Sequence, residues 1–144
     1  MGPQLVVCSR ITATDFKCDE PWACISISNS VGDWPDIDDD CRVDILQLVF
    51  VDVVFSVSQD FDYSVFSERT ALEILDFVEE LWWEIEVLMI HCDAGISRSS
   101  AVAAAISKLY LDDDSEFYDE DLYDPNPLVY DILLRVGRMR QNQD

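Results

Sequence analysis

The chain has 144 residues, 49% of them hydrophobic, which suits a single folded domain and excludes a disordered polymer. It carries 9 basic against 30 acidic residues, a formal net charge of −21 at pH 7, and such a surface repels nucleic acids and anionic membranes. We therefore expect neither kind of partner. The charge itself is consistent with a basic protein partner or with a solubility or high-salt adaptation.

No apolar segment approaches the ~20 residues that span a membrane, and the N-terminus lacks the basic and apolar regions of a signal peptide. The cysteine count is odd and no Cys-x-x-Cys pair occurs, so we expect neither a disulfide framework nor a zinc site. These features predict a cytoplasmic protein in a reducing compartment. The five cysteines are Cys8, Cys18, Cys24, Cys41 and Cys92.

Three short apolar segments in the first half of the chain predict strands. They are residues 5–8, 22–28 and 45–51. Residues 9–17, between the first two, suit a loop with a short helix, and residues 29–44, rich in Gly, Pro and Asp, predict a loop. The polar residues 56–64 predict irregular structure.

The second half of the chain alternates predicted helices with a fourth strand. These elements are a helix over residues 67–83, a strand over 87–90, a helix over 97–111 and a helix from 126 onward. Ser67 suits the N-cap of the first helix, Pro127 suits the first turn of the last, and the very acidic segment 112–124 is expected to be exposed. Strands interleaved with helices predict an α/β fold: one domain over residues 1–144, with a small central, mostly parallel sheet of about four strands flanked by helices.

Residues 91–99 read His-Cys-Asp-Ala-Gly-Ile-Ser-Arg-Ser and join the fourth predicted strand to the following helix. In a strand, tight loop and helix start, backbone N–H groups and the helix dipole form a site for an anion. Arg98 adds a planar guanidinium that can hold two phosphate oxygens, and Gly95 permits the tight turn. The same positive environment favours the thiolate of Cys92, a nucleophile to which Ser99 can donate a hydrogen bond.

This segment resembles the His-Cys-x-x-Gly-x-x-Arg-Ser signature of the protein tyrosine phosphatase superfamily, and its Ala-Gly-x-Ser-Arg-Ser portion resembles the compact dual-specificity branch. The resemblance implies the cysteine-phosphatase fold and a phosphatase that acts through a phosphocysteine intermediate. It implies that Cys92 is the nucleophile, that Ser99 assists breakdown of the intermediate, and that His91 holds the loop and favours the thiolate. The residues implied to bind phosphate are Asp93, Ala94, Gly95, Ile96, Ser97 and Arg98.

The mechanism also needs a general acid for the leaving oxygen, which in this superfamily is an Asp on a loop after a strand. Asp52 follows the third predicted strand. Asp36 lies in Trp34-Pro35-Asp36, which matches the acid loop of the large tyrosine phosphatases. We predict that Asp52 is the acid, because the carboxyl ends of parallel strands converge on the ligand crevice, whereas Asp36 precedes a strand.

The variable positions of the loop carry no lysine and include the negative Asp93, which disfavours inositol phosphates. We therefore expect a phosphorylated protein or peptide as substrate, and the cysteine mechanism requires no metal and no cofactor. Two other functions fit parts of the pattern: a rhodanese-like sulfurtransferase, which also uses a cysteine in a loop before a helix, and a non-enzymatic phosphate-recognition module.

A further hypothesis concerns Cys8, which ends the first predicted strand. If that strand neighbours the fourth, Cys8 could approach Cys92 and form a disulfide under oxidation. The alternative is that Cys8 is an ordinary small, buried residue.

Overall fold

The computed structural model describes residues 2–54 and 65–143. The irregular segment predicted over residues 56–64 lies outside these described residues. None of the helices within the two ranges is long and apolar enough to cross a membrane.

In the described part of the chain, the centre of the fold is one sheet of four parallel strands. The strands are β1 (Gln4–Ser9), β2 (Trp22–Ser28), β3 (Arg42–Val49) and β4 (Val87–Cys92). They lie in the order β1-β4-β2-β3, so the strand that ends at Cys92 is paired on both sides. This arrangement confirms the predicted α/β fold with a small parallel sheet of four strands.

The third strand begins at Arg42 rather than at residue 45 and ends at Val49 rather than at residue 51. β3 is an edge strand, and Val43 and Asp44 near its start are exposed. Because an edge strand that is only partly covered has no continuous apolar pattern, its first residues gave no signal in the sequence.

Within residues 2–54 and 65–143, four α-helices and one short 3₁₀ helix surround the sheet. They are α1 (Arg10–Thr14), α2 (Glu68–Leu81), α3 (Arg98–Leu111), the 3₁₀ helix (Ser115–Tyr118) and α4 (Pro127–Gln141). The Ser67 side chain caps α2 by accepting from Thr70 N, as predicted. Asn126 caps α4 by accepting from Leu128 N and Val129 N. The predicted helix positions are therefore confirmed to within a few residues.

The apolar residues form two clusters on opposite faces of the sheet. The larger cluster combines the sheet with α2, α3 and α4, and the smaller one combines it with α1 and the β2–β3 connection. The acidic segment 112–124, predicted to be exposed, also contributes to the larger cluster through Phe117, which is 1% exposed. Phe117, together with the half-buried Tyr123, attaches this mostly solvated segment to the core.

Parallel strands bring their carboxyl ends to the same edge of a sheet. Here those ends are Ser9, Ser28, Val49 and Cys92. The residues that follow each strand therefore surround the segment that begins at Cys92, and they supply the candidate site.

Candidate active site on the β4–α3 loop

The central strand β4 ends at Cys92, which is 2% exposed. Its Sγ lies 3.1 Å from Oγ of Ser99, a fully buried residue in the first turn of α3. A hydroxyl at this distance can donate a hydrogen bond to a thiolate. The two residues predicted as nucleophile and assisting hydroxyl are therefore in contact.

The backbone of the loop between β4 and α3 is held from outside through its carbonyl groups. Its bonds to other segments run from Arg10 N to Asp93 O (3.1 Å), from Asp124 N to Ile96 O (2.9 Å) and from Asn126 N to Ser97 O (3.0 Å). By contrast, the N–H groups of residues 94–97 have no protein acceptor within residues 2–54 and 65–143. Successive unpaired N–H groups in a tight loop form a concave site for an anion.

Ser97 is the N-cap of α3, yet its side chain makes no capping hydrogen bond. Its Oγ donates instead to Oδ1 of Asp52 at 2.9 Å. The first N–H groups of any helix lack intrahelical acceptors, and in α2 and α4 a side chain accepts from them. The N-terminus of α3 therefore keeps its donors, and the positive end of its dipole, for a ligand.

Arg98 opens α3 with a side chain that is only 5% exposed. Its Nη1 donates to Oδ1 of Asn29 (2.7 Å) and to the carbonyl of Phe50 (2.8 Å), the residues that follow β2 and β3. Its Nη2 lies 3.7 Å from Oδ2 of Asp93, and its buried Nε has no hydrogen-bond partner in the described structure. Because a buried donor without a partner is costly, the Nε–Nη2 edge is the part of the guanidinium that a ligand can use.

His91 is fully buried in β4, one residue before the cysteine. Its Nε2 lies 2.5 Å from Oγ of Ser26 on the neighbouring strand, and its Nδ1 lies 3.4 Å from the carbonyl of Cys92. Burial lowers the pKa of His91 below its ordinary value, against the opposing effect of the Cys92 carbonyl. At neutral pH the ring is uncharged, and it acts on the loop through hydrogen bonds.

Gly95 allows the loop to pass close to β1. Its φ is +73°, and a Cβ at this position would lie 2.6 Å from the carbonyl carbon of Cys8 and 2.6 Å from the nitrogen of Ser9. Both the backbone conformation and the space therefore require glycine. The neighbours Ala94 and Ile96 are exposed, so the loop presents their side chains to solvent.

Asp52 lies shortly after β3 and is exposed. Its Oδ1 accepts from Oγ of Ser97 (2.9 Å) and from Nδ2 of Asn126 (2.7 Å). Asp36 is also exposed, but the next residue, Ile37, is buried in the cluster on the α1 face of the sheet. Of the two candidate acids, the structure brings Asp52 into contact with the loop.

Three residues at the site were not singled out in the sequence as site residues: Ser26, Asn29 and Asn126. Asn126 was expected only at the start of the last helix, yet its Oδ1 caps α4 and its Nδ2 donates to Asp52. The asparagine amide has an acceptor oxygen and a separate donor nitrogen, so it can cap a helix and bond to a second group at once, and that was the available signal. Ser26 is a polar residue in a strand that is buried along its whole length, so it needed a polar partner.

The strands β1 and β4 are neighbours, which meets the condition for the Cys8 hypothesis. However, Cys8 is paired with His91 and Ser9 with Cys92, and side chains alternate between the two faces along a strand. Cys8 packs in the smaller cluster and Cys92 in the larger one, on opposite faces. A disulfide between them would require the backbone to move.

Comparison with known proteins identifies the fold. No protein-family model and no curated protein matches the sequence. The solved structures that resemble this chain include human DUSP28, with 17% sequence identity, a TM-score of 0.56 and coverage of 99% of this chain and 96% of that one. They also include the human tyrosine phosphatase-like serine/threonine/tyrosine-interacting protein, with 17% identity, a TM-score of 0.58 and coverage of 84% and 79%.

A third structure is a mouse putative dual specificity phosphatase complexed with zinc tungstate, with 16% identity, a TM-score of 0.59 and coverage of 92% of this chain and 76% of that one. This chain therefore has the fold of dual-specificity phosphatases, as its loop sequence implied.

Within residues 2–54 and 65–143, no group of three or more His, Cys, Asp or Glu side chains is placed to hold a metal ion.

The close approach at Gly95 predicts a difference between two glycines that both have positive φ. Gly32, at φ +82°, has no atom within 4 Å of the position that a Cβ would occupy, so Gly32→Ala should cost only the backbone strain, about 1 kcal/mol. Gly95→Ala should lower the free energy of unfolding by a further 1–3 kcal/mol or so, because the methyl group meets the β1 backbone. Denaturant unfolding measures both, and equal losses would contradict the assigned contact.

The buried His91 predicts a pH dependence of stability. The pKa of His91 is lower in the folded state than in the unfolded state. Its contribution to the free energy of unfolding is therefore complete above the unfolded pKa of about 6.5, and it is lost as the pH falls towards the folded pKa. The free energy of unfolding should fall between pH 7.5 and 5.5, by at most about 1.4 kcal/mol per pH unit. His91 is the only histidine, so His91→Gln should flatten this change. An unchanged slope in the variant would contradict the assignment.

Proposed function

We propose that this protein is a cysteine-dependent phosphomonoester hydrolase of the tyrosine/dual-specificity type, which acts through a phosphocysteine intermediate. The observation that carries the proposal is the unpartnered Nε of the buried Arg98 beside the uncapped start of α3. A buried cation, an open helix N-terminus and a run of free N–H groups together favour a tetrahedral dianion. The fold neighbours support the proposal, since one is described as a putative dual specificity phosphatase and another as tyrosine phosphatase-like.

In the first step of the proposed mechanism, the thiolate of Cys92 attacks phosphorus and forms an S–P bond. The P–O bond to the leaving group breaks, and Asp52 in its protonated form gives its proton to that oxygen. The Nε–Nη2 edge of Arg98 and the loop N–H groups bind the phosphoryl oxygens, on which negative charge is held as the bonds change.

In the second step, water attacks phosphorus and the S–P bond breaks. The Asp52 carboxylate formed in the first step takes the proton from that water, and inorganic phosphate leaves. Ser99 Oγ, 3.1 Å from the sulfur, donates a hydrogen bond that stabilises the departing Cys92 thiolate. Atoms and charge balance over the cycle, which consumes one water and requires no metal and no cofactor.

The contacts of Asp52 suit the proton transfers assigned to it. Its Oδ1 accepts from both Ser97 and Asn126, whereas Oδ2 has no hydrogen-bond partner among the described residues. We therefore assign Oδ2 as the oxygen that transfers the proton in the proposed mechanism. Asn126 is 1% exposed and bonds α4, residue 53 and Asp52 together, so we assign it as a positioning residue for the acid.

The substrate class we propose is a phosphorylated protein or peptide. The loop supplies one guanidinium and no lysine, and Asp93 beside it disfavours inositol phosphates, which carry several phosphate groups. A reactive thiol functions in a reducing compartment, and all five cysteines are free in the structure. The proposal therefore places the activity in the cytoplasm.

The test of the proposed activity is phosphate release from an activated aryl phosphate. Cys92→Ser should reduce kcat/KM by on the order of 10³-fold or more, because serine is a far weaker nucleophile. Cys18→Ser, at a half-buried cysteine in the smaller cluster, is the matched control and should retain activity. Absence of phosphate release from the wild-type protein would instead favour a phosphate-recognition module, and activity on thiosulfate alone would favour a sulfurtransferase.

The assignment of the acid predicts a dependence on the leaving group. Asp52→Asn should reduce turnover of a phosphotyrosine peptide by about 10²–10⁴-fold and reduce turnover of an activated aryl phosphate much less, since a good leaving group needs no proton. Asp36→Asn is the matched control and should change neither. Small, equal losses with both substrates in Asp52→Asn would rule out this residue.

A further inference from the structure

Four exposed aspartates from four different segments lie around the proposed anion site that the β4–α3 loop forms. We call Asp33, Asp52, Asp93 and Asp124 the acidic rim; each is joined to the loop, directly or through one residue. Asp93 belongs to the loop and its side chain is 48% exposed. Asp52 contacts the loop through Ser97, as described above.

Asp33 reaches the loop through Arg10. Its Oδ1 accepts from Arg10 Nη2 at 3.0 Å, and the backbone N–H of Arg10 donates to the Asp93 carbonyl at 3.1 Å. The carbonyl of Asp33 also accepts from Ser28 Oγ at the end of β2, which fixes its backbone. Its side chain is 61% exposed, so its charge faces solvent beside the loop.

Asp124 lies on the opposite flank of the loop. Its backbone N–H donates to the Ile96 carbonyl at 2.9 Å, and its own side chain is exposed and has no hydrogen-bond partner among the described residues. The side chain of Ile96 itself is 46% exposed. This flank therefore presents one apolar side chain and one carboxylate to an approaching substrate.

The positive charges near the loop are already committed. Arg98 is buried and oriented into the phosphate site, and Arg10 is bonded to both the side chain and the carbonyl of Asp33. The other basic side chains with described partners bond elsewhere, and these pairs are Lys17 with the Asp38 carbonyl, Arg42 with the Ile37 carbonyl, Arg69 with Glu73, Lys108 with Asp112, Arg135 with Glu68, and Arg140 with Asp76 and Glu79. Arg10 offsets the charge of Asp33, whereas the side chain of Asp124 has no cationic partner among the described residues, so the acidic side chains around the site still outnumber the basic ones.

We propose that the acidic rim selects phosphopeptides in which lysine or arginine flanks the phosphorylated residue, an inference that rests on the proposed function. The buried Arg98 and the loop N–H groups satisfy the phosphate dianion itself. The side chains on either side of it then approach Asp33, Asp93 and Asp124, and exposed charges act over roughly 8 Å at physiological salt. Basic flanks are attracted there and acidic flanks are repelled.

The experiment compares two phosphotyrosine peptides of one core sequence, one flanked by arginines and one by glutamates, together with a small activated aryl phosphate. Hydrolysis is measured on the wild-type protein, and peptide binding is measured by calorimetry on Cys92→Ser. We expect the basic peptide to be preferred by on the order of tenfold in both readouts at low ionic strength, and the preference to shrink at high salt.

A matched pair of variants separates the rim from the overall charge. Asp33→Asn/Asp124→Asn removes two rim charges, and Glu84→Gln/Glu86→Gln removes two exposed charges beside the start of β4, at the opposite edge of the sheet. The net charge changes equally in both. The first variant should reduce the preference to about two- to threefold, and the second should leave it unchanged.

The outcomes distinguish this inference from the proposed function. Hydrolysis of the aryl phosphate without preference between the peptides overturns the proposed selection by the acidic rim and supports the proposed hydrolase activity. An equal loss of preference in the two variants also overturns the rim, because it assigns the effect to net charge. Preferential binding of the basic peptide without any hydrolysis supports the proposed selection by the acidic rim and overturns the proposed hydrolase activity. If the first variant fails to fold, the salt dependence on the wild-type protein decides: a preference that is absent or independent of salt overturns the rim.

Discussion

The guanidinium of Arg98 is held in place by groups from three separate strand ends. Nη1 is bonded to Asn29 after β2 and to the Phe50 carbonyl after β3, and Nη2 faces Asp93 directly after β4. A buried cation is costly unless it is surrounded by acceptors, so the order of the strands and the position of this side chain depend on each other. Among the described residues Nε has no partner, and Nη2 has only the distant Asp93 carboxylate, so this edge is the part of the guanidinium that defines the site.

The loop around this cation is equally constrained. Gly95 passes against the β1 backbone with no room for a Cβ, and the loop carbonyls are bonded to three other segments. Ser97 bonds to Asp52 instead of capping α3, which leaves the helix start open and positions the proposed acid at the same time. A single serine thereby links the proposed phosphate site to the segment after β3, and the proposed chemistry requires both.

Much of the fold followed from the sequence because the strands are short, apolar and buried, and because the serine and asparagine caps are clear local signals. The start of β3 was missed, since an exposed edge strand has little apolar pattern, and Phe117 was missed inside an acidic segment. Within the site, the nucleophile and the arginine share one contiguous motif. Asn29 and Asn126 meet that motif only through tertiary contacts, so local patterns gave no indication of their second roles.

Charge is arranged differently inside the site and around it. The interior offers a buried guanidinium and unpaired N–H donors, whereas the opening carries exposed carboxylates from four segments. An anion that enters the site must therefore pass an opening of like charge, which suits a phosphate attached to a basic segment and disfavours a highly charged small molecule. The net charge of −21 gives the chain as a whole the same sign of charge as the acidic rim.

The central claim is that a phosphoryl group is transferred to the sulfur of Cys92, and the most direct measurement is to trap it. The wild-type protein is mixed with an activated aryl phosphate, quenched in acid within milliseconds and analysed by peptide mass spectrometry. The account predicts one phosphoryl group on the peptide that contains Cys92, formed together with a burst of the aryl alcohol. Release of phosphate with no phosphorylated cysteine, or with the phosphoryl group on another residue, would contradict it.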